Sequence, residues 1–337
     1  MNLVTSYLDL TLRNPLIASS SPKNAELDHL RRLDDAGIGA IVLPSLFQEQ
    51  LEGQQDEYEA IVAASADNSP EAQSYLPLLD SGPYGLGPER YLDLIRRAKA
   101  SLSIPVIASL NGSSNAGWTH YASMMQEAGA DALELNIYHV PVDISASGQQ
   151  IEQGYLDVLR AVRNAVTIPV AVKMPPYFSS IGHMAARLVD AGADGLVIFN
   201  RFLQPDIDLV RLELSSELQL SQSSERRLPL LWTALLAGRV KASLAGSTGV
   251  ESVDDIVKYL LAGADTVMAT ATLLRHGPGH VRTLLVGLQE WLENRQIESL
   301  DRIRGQLSWA RAKKKDSYGR ANYLHLIETW TAAHHGL

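Results

Sequence analysis

The sequence contains no cysteine, and this absence removes several kinds of chemistry. A chain without thiols forms no disulfide, binds no metal or iron–sulfur cluster through thiolates, and has no cysteine nucleophile. Aromatic residues are also scarce, at 6% of the chain, although hydrophobic residues make up 46%. The apolar residues are therefore mainly aliphatic, which favours a large core filled by branched side chains.

Positive charge is in short supply as well. The chain has 29 basic and 38 acidic residues, a net charge of −9, and an acidic chain repels phosphate backbones. No apolar run is long enough to cross a membrane, and the first residues lack the pattern of a signal peptide. The nine histidines show no metal-ligand spacing. We therefore predict a cytoplasmic protein with no nucleic-acid partner, no membrane partner and no metal site.

One local pattern occurs four times along the chain. A helix-like segment ends at a glycine, and a short apolar run follows; the four glycines are Gly37, Gly129, Gly192 and Gly263. Glycine adopts positive φ at little cost, so it is well suited to end a helix. A continuous apolar run is typical of a parallel strand that is covered on both faces. The pattern predicts repeated helix-to-strand units.

Eight apolar segments are predicted as strands, most of them separated by helical segments. They are residues 15–20, 40–45, 105–112, 132–137, 169–175, 195–200, 242–247 and 266–271. Alternating strands and helices imply a parallel sheet, and eight units close a (β/α)8 barrel, the TIM barrel. A Rossmann sheet is less favoured because no G-x-G-x-x-G motif opens a helix. We predict an α/β fold with this barrel in residues 1–300.

Additions to the barrel are expected at three kinds of position. The alternating segment LVTSYLDLTL, before the first strand, predicts a β-hairpin that caps the bottom of the barrel. Residues 301–337 are predicted as a C-terminal helical extension packed on or beside it. Long connections at 46–90 and 201–231 are expected over the mouth, where active sites of such barrels lie.

Polar residues lie at or just after the C-terminal ends of the predicted strands, where the active site should lie. They are Ser19, Ser20, Asn111, Asn136, Tyr138, His139, Lys173, Asn200 and Thr270. Carboxamides donate and accept hydrogen bonds, so Asn136 and Asn200, and less strongly Asn111, suit the edge of a heterocycle. Structural capping is the alternative for them. His139 or Tyr138 is the candidate proton donor or acceptor.

Two further features indicate a phosphorylated cofactor and a charged site. The turn from Gly246 to Gly249 precedes a predicted helix, so its amides and the positive helix end suit a phosphate. Lys173 lies within an apolar strand and should point into the barrel mouth. It could stabilise an electron-rich ring such as a reduced flavin, form a Schiff base, or make a structural salt bridge.

Together these residues resemble the dihydroorotate dehydrogenases, especially the soluble class 1 branch. The resemblance covers roughly residues 1–300 and rests on NPLIASS near the start, ELN at 134–136, VKMPPYF at 172–178, Asn200, the GSTGVES turn and LAGADTVMATATLL. It implies non-covalent FMN, with Ser19 and Ser20 near the flavin and Lys173 at its pyrimidine side. Asn136 should approach the flavin or the substrate, and Asn200 matches the family's asparagine after strand 6. Thr248, Gly249, Thr270 and Ala271 match the positions whose amides hold the phosphate.

The sequence departs from this family where the substrate would bind. His139 stands where the family has a catalytic cysteine or serine, and Pro44 and Ser45 replace a Lys-Ser pair. The loop SGPYGLGPE lacks the asparagine that the family offers to orotate. A site built for one substrate discriminates against others, so several such changes should alter the preferred substrate.

We therefore predict an FMN-dependent oxidoreductase acting on a CH–CH group, with His139, Tyr138 and Lys173 as catalytic residues. True dihydroorotate oxidation in pyrimidine biosynthesis, with an altered base, is one alternative. A Schiff-base lyase using Lys173 and a non-catalytic flavin-binding or interaction subunit are the others. The expected partners are a small-molecule substrate, an electron acceptor or redox partner of unknown identity, and a second copy in a homodimer.

Overall fold

The computed structural model describes residues 1–47, 88–111, 118–202, 204–215, 219–313, 323 and 327–330. Within them eight parallel strands close a barrel in chain order, which confirms the predicted TIM barrel. The barrel strands are β3 (Leu16–Ala18), β4 (Ala40–Phe47), β5 (Val106–Asn111), β6 (Ala132–Asn136), β7 (Val170–Met174), β8 (Gly195–Ile198), β11 (Ser243–Gly246) and β12 (Thr266–Ala269). Seven of the predicted segments contain one barrel strand each, and β4 begins with the eighth segment at Ala40 but runs two residues past its end, to Phe47.

Helices cover the outside of the barrel. They are α1 (Leu27–Asp35), α2 (Pro88–Ser101), α3 (Trp118–Glu127), α4 (Gly148–Ala165), α5 (Ile181–Asp190), α6 (Arg227–Leu236), α7 (Val253–Ala262), α8 (Ala271–His276) and α9 (His280–Glu293). The four repeat glycines that end helices adopt φ angles between 100° and 115°, as predicted. None of the helices that the structure describes is long and apolar enough to span a bilayer.

The predicted N-terminal hairpin is present and plugs the lower end of the barrel. Its strands β1 (Thr5–Tyr7) and β2 (Leu10–Leu12) pair antiparallel. Tyr7 and Leu8 are buried with the inward side chains of the barrel strands. The Leu8 amide donates to Ser243 Oγ at 3.1 Å, at the start of β11, which fixes the hairpin at the strands' N-terminal end. The functional site must therefore open at the other end.

The inward-facing side chains change from apolar to polar along the barrel axis. Near the hairpin the interior contains residues such as Ile107, Ala132 and Ala171. Further along the same strands, alternate positions carry Ser109, Asn111, Glu134, Asn136 and Lys173, all buried. Because side chains two apart in a strand share a face, these polar groups point into the barrel above the apolar plug.

The connections and the C-terminal part hold the remaining described elements. Residues 48–87 of the first long connection lie outside the described residues, whereas the second contains the hairpin β9 (Asp206–Asp208) and β10 (Glu213–Ser215) and a 3₁₀ turn, Ser223–Arg226. After the 3₁₀ turn Leu300–Arg302, residues 303–313 are in turns and contact α7, where the Gly305 amide donates to Leu260 O. Residues 327–330 are helical. A domain boundary at residue 300 remains a prediction.

Candidate active site at the barrel mouth

A row of polar side chains crosses the mouth of the barrel. Ser20 Oγ lies 3.4 Å from Ser45 Oγ, which lies 2.9 Å from Ser109 Oγ. Asn136 Nδ2 donates to Ser45 Oγ at 3.4 Å, and Asn200 Nδ2 donates to Asn136 Oδ1 at 2.6 Å. The row therefore brings together three of the predicted site residues, Ser20, Asn136 and Asn200.

A bulge in β4 explains why Ser45 joins this row. The register between β4 and β5 shifts between Val42 and Ser45, where Pro44 has no amide to donate. Tyr91 of α2 takes over part of the ladder there, because its hydroxyl accepts from the Ser109 amide at 2.9 Å. The extra residue turns Ser45 inward. Ser109 was not predicted as a site residue, although its position two residues before Asn111 places both on one face.

The loop after β3 is held by a buried asparagine. Asn24 Nδ2 donates to the carbonyl oxygens of Ser19 and Val42, at 2.9 and 2.7 Å. The Ser19 amide donates in turn to Ala269 O of β12. Ser19 and Ser20 are thus fixed between β12 and β4. Asn24 was not predicted, since nothing local distinguishes it from an ordinary loop residue.

Lys173 faces a carboxylate inside the barrel. Its Nζ lies 3.7 Å from Glu134 Oε1, with 7% of the lysine side chain and 1% of the glutamate side chain exposed. In the register of β6 and β7, Asn136 pairs with Lys173 and Glu134 pairs with Ala171. Of the roles considered for Lys173, the salt bridge is therefore present, and it leaves the ammonium next to the Asn136–Asn200 pair.

The two predicted proton-transfer residues follow β6 at the rim. Tyr138 and His139 are partly exposed. The Tyr138 ring packs on Phe202 with ring centroids 4.2 Å apart, and Tyr177 packs on the same ring at 5.2 Å. Within the described part of the chain His139 forms no hydrogen bond. Asn111 is buried at the end of β5, opposite Asn136 in the sheet register. The rim therefore carries an aromatic cluster above the polar row.

The turn from Gly246 to Gly249 rests on a buried tyrosine. A Cβ on Gly246 would lie 2.3 Å from Cδ1 of Tyr259, so only glycine fits there. The Tyr259 hydroxyl donates to Ser247 O at 2.7 Å and to Thr248 O at 2.8 Å. Thr248 and Gly249 have φ angles of 75° and 68°. Tyr259 of α7 thus stabilises the positive φ angles of the turn.

The helix that follows this turn is already complemented by a carboxylate. Ser252 and Asp255 form a capping box at the start of α7, and Asp255 also accepts from the Glu251 amide at 3.1 Å. The start of α8 differs, because Thr270 precedes Ala271 there with no side-chain capping bond. The start of α8 therefore has no side-chain cap, whereas the start of α7 is capped by Asp255.

The comparisons place the chain among known proteins. Residues 2–292 match the sequence model of dihydroorotate dehydrogenase. The chain belongs to that family. It is 26% identical over 318 residues to the catalytic subunit of dihydroorotate dehydrogenase B (NAD(+)) from Pyrococcus abyssi, covering 90% of this chain and 98% of the relative. It is 25% identical over 309 residues to the same subunit from Methanothermobacter thermautotrophicus, covering 90% and 97%. It is 27% identical over 233 residues to the NAD-dependent dihydropyrimidine dehydrogenase subunit PreA from Escherichia coli, covering 64% and 56%.

In this member of the dihydroorotate dehydrogenase family, basic side chains at the mouth are paired with carboxylates. Three arginines near the turn at 246–249 are each paired with a carboxylate: Arg201 with Glu225 at 2.7 Å, Arg226 with Asp255 at 2.9 Å, and Arg275 with Glu251. Lys173 is paired with Glu134. These four cations of the described site region are thus already neutralised.

Proposed function

We propose that this protein is an FMN-dependent oxidoreductase that acts on a CH–CH bond of a small molecule. The observation that carries the proposal is the buried Lys173 ammonium beside the hydrogen-bonded Asn136–Asn200 pair, all in one barrel mouth. Two carboxamides and a cation match a ring edge that carries carbonyl and N–H groups. The turn at Thr248 and the uncapped start of α8 suit a phosphate. The donor set therefore fits FMN.

The chain's own residues would divide the work of the reaction. Bound FMN would supply the acceptor for a hydride from a substrate carbon. Lys173 would hold positive charge at the ring edge where negative charge develops. Asn136 and Asn200 would orient the ring, and the aromatic cluster of Tyr138, Tyr177 and Phe202 would help to exclude water. His139 or Tyr138 would accept the proton that leaves the second carbon.

We further propose that the substrate differs from dihydroorotate. Dihydroorotate carries a carboxylate, which in a barrel mouth needs an unpaired cation or several donors. The four cations of the described site region are each within salt-bridge distance of a carboxylate. Pro44 stands in the position where the family has its lysine. The paired mouth therefore favours a substrate without a carboxylate.

The other candidate functions are weighed by the same contacts. A Schiff base needs a free amine, and Lys173 Nζ is engaged in a salt bridge with the Glu134 carboxylate at 3.7 Å, which counts against the lyase. A non-catalytic flavin-binding subunit remains an alternative. The electron acceptor, a homodimer and a cytoplasmic location remain predictions.

The test begins with the purified protein and FMN. We expect flavin fluorescence to be quenched on binding, and Lys173→Met to weaken that binding or slow reduction of the flavin. Lys99→Met is the matched control, because Lys99 pairs with Asp131 on the outside of the barrel. Failure of the wild-type protein to bind FMN would refute the proposed function. Anaerobic mixing with dihydroorotate then tests the substrate: rapid bleaching of the flavin would contradict the proposed difference.

A further inference from the structure

Glu134 is a buried carboxylate that the proposed function does not use. Its side chain is 1% exposed, and it lies in β6 two residues before Asn136, on the same inward face. The inward residue below it in the strand is Ala132, which belongs to the apolar plug. Glu134 therefore sits at the boundary where the barrel interior changes from apolar to polar. A charge placed there without a partner is strongly disfavoured.

The ammonium of Lys173 provides that partner from the neighbouring strand. The two groups lie 3.7 Å apart, and the sheet register places Glu134 one layer deeper than Lys173. The side chains above the pair are the neutral carboxamides of Asn136 and Asn200. The lysine is therefore held between a fixed negative charge below it and the mouth above it.

The titratable groups around the pair are mainly phenols that stay neutral. Burial raises the pKa of Tyr7 in the hairpin, and the charge of Glu134 raises it further. Burial likewise raises the pKa of Tyr91 in α2, which also feels Glu134. At the rim, Tyr138 and His139 follow β6, and the inward residues of β5 at this level, Ser109 and Asn111, do not titrate. The lysine thus has one ionised neighbour in the described interior.

We propose that Glu134 is a positioning residue whose carboxylate holds the Lys173 ammonium at the floor of the mouth. This inference rests on the proposed function in one respect, namely that the ammonium acts on a flavin ring bound above it. A buried lysine without a counter-ion loses its proton readily, so it would present no charge to that ring at neutral pH. With Glu134 beneath it, the cost of burying the ammonium is offset by a negative charge 3.7 Å away.

The decisive variant is Glu134→Gln, which keeps the shape of the side chain and removes its charge. The readout is the affinity for FMN, followed by flavin fluorescence as the pH is raised from about 8 to about 10, above the range in which histidine titrates. The profile of the wild-type protein is the reference. In Glu134→Gln we expect a one-proton transition. Above that transition, the affinity for FMN should be about tenfold lower for each unit by which the substitution lowers the pKa of the lysine.

Two further variants separate this role from a purely structural one. Glu134→Gln/Lys173→Met should show no transition, since the titrating amine is gone. Asp131→Asn removes the carboxylate that pairs with Lys99 outside the barrel, and it should leave the pH profile unchanged. A purely structural glutamate would instead weaken binding equally at every pH. A pH profile of Glu134→Gln identical to that of the wild type would overturn the proposal.

Urea unfolding of the flavin-free proteins tests the pair without the proposed function. Each single variant should unfold at lower urea than the double variant, because each removes one member of the Glu134–Lys173 pair and leaves the other buried without it. If the wild type binds no FMN, the proposed function fails while this comparison still decides the pairing. Should Glu134→Gln not fold, the double variant should fold, and failure of both to fold would overturn the inference.

Discussion

Tyr259→Phe is expected to lower the free energy of unfolding and to weaken the binding of phosphate. Tyr259 is fully buried in α7, and its ring occupies the space that a side chain at position 246 would need. Its hydroxyl donates to two carbonyl oxygens of the turn, those of Ser247 and Thr248. The substitution removes one oxygen atom and both hydrogen bonds, while the packing of the ring is retained.

The size of the effect follows from what the two carbonyl groups lose. A buried polar group left without its partner costs about 1–3 kcal/mol. Ser247 is buried but Thr248 is partly exposed, so water can replace one of the bonds, and we expect a loss of about 1–2 kcal/mol in the free energy of unfolding. Thr248 holds φ at 75°, which a threonine adopts only with support. Loosening of this turn should weaken FMN binding roughly fivefold to tenfold, or about 1–1.4 kcal/mol.

Urea unfolding and a fluorescence titration with FMN measure the two effects separately. Tyr7→Phe is the matched control, since Tyr7 is also fully buried and its hydroxyl has no hydrogen-bond partner among the described residues. That control should leave stability unchanged or raise it, with unchanged affinity. If Tyr259→Phe lowered stability but bound FMN as tightly as the wild type, the turn would not be the phosphate site. If it unfolded like the wild type, the reasoning from the two hydrogen bonds would be wrong.

Three further predictions concern the backbone, the pH response and the assembly. Gly263→Ala should lower the free energy of unfolding, measured with urea, by about 2 kcal/mol or more, because φ is 115° and a new Cβ would lie 2.4 Å from a neighbouring side chain. Gly154 lies in open space on α4, so Gly154→Ala should raise the free energy of unfolding by about 0.5–1 kcal/mol. Burial raises the pKa of Asp255, but hydrogen bonds from two serine hydroxyls and two amides outweigh it and leave the pKa below 3.8. The stability from this group is therefore complete above that pH and lost as the pH falls through the lower, folded-state pKa, so the urea midpoint of Asp255→Asn should depend less on pH in that range. The predicted homodimer is tested by sedimentation. Ile207 and Leu214 are exposed and face the same way in the hairpin β9–β10, so replacing both with serine should shift a dimer towards monomer. An unchanged dimer would place the interface elsewhere.

The barrel was predictable because its signals are local and repeated. Gly37, Gly129 and their two counterparts each mark one helix end, and the apolar runs that follow have the length of buried strands. The hairpin that plugs the barrel was also readable, since its alternation is confined to a few residues. Each of these signals lies within a short stretch of sequence and does not depend on contacts between distant parts of the chain.

The residues that were missed depend on contacts between distant parts of the chain. Ser45 points inward only because the ladder slips at Pro44, and the slip is tolerated because Tyr91 satisfies the Ser109 backbone. The partner of Lys173 could have been inferred, since Glu134 has the same inward parity as Asn136. The capped start of α7 was readable too, because Ser252-x-x-Asp255 has the spacing of a capping box.

The charges of the mouth link the proposed cofactor to the proposed change of substrate. A reduced flavin ring brings negative charge to a site where Lys173 is held by Glu134. An anionic substrate would add a second negative charge, and the arginines that could offset it are engaged by Glu225, Asp255 and Glu251. Freeing one of them would leave its carboxylate partner uncompensated. A neutral substrate requires no such exchange, so the charge arrangement proposed to hold the flavin is the same one that supports the proposed change of substrate.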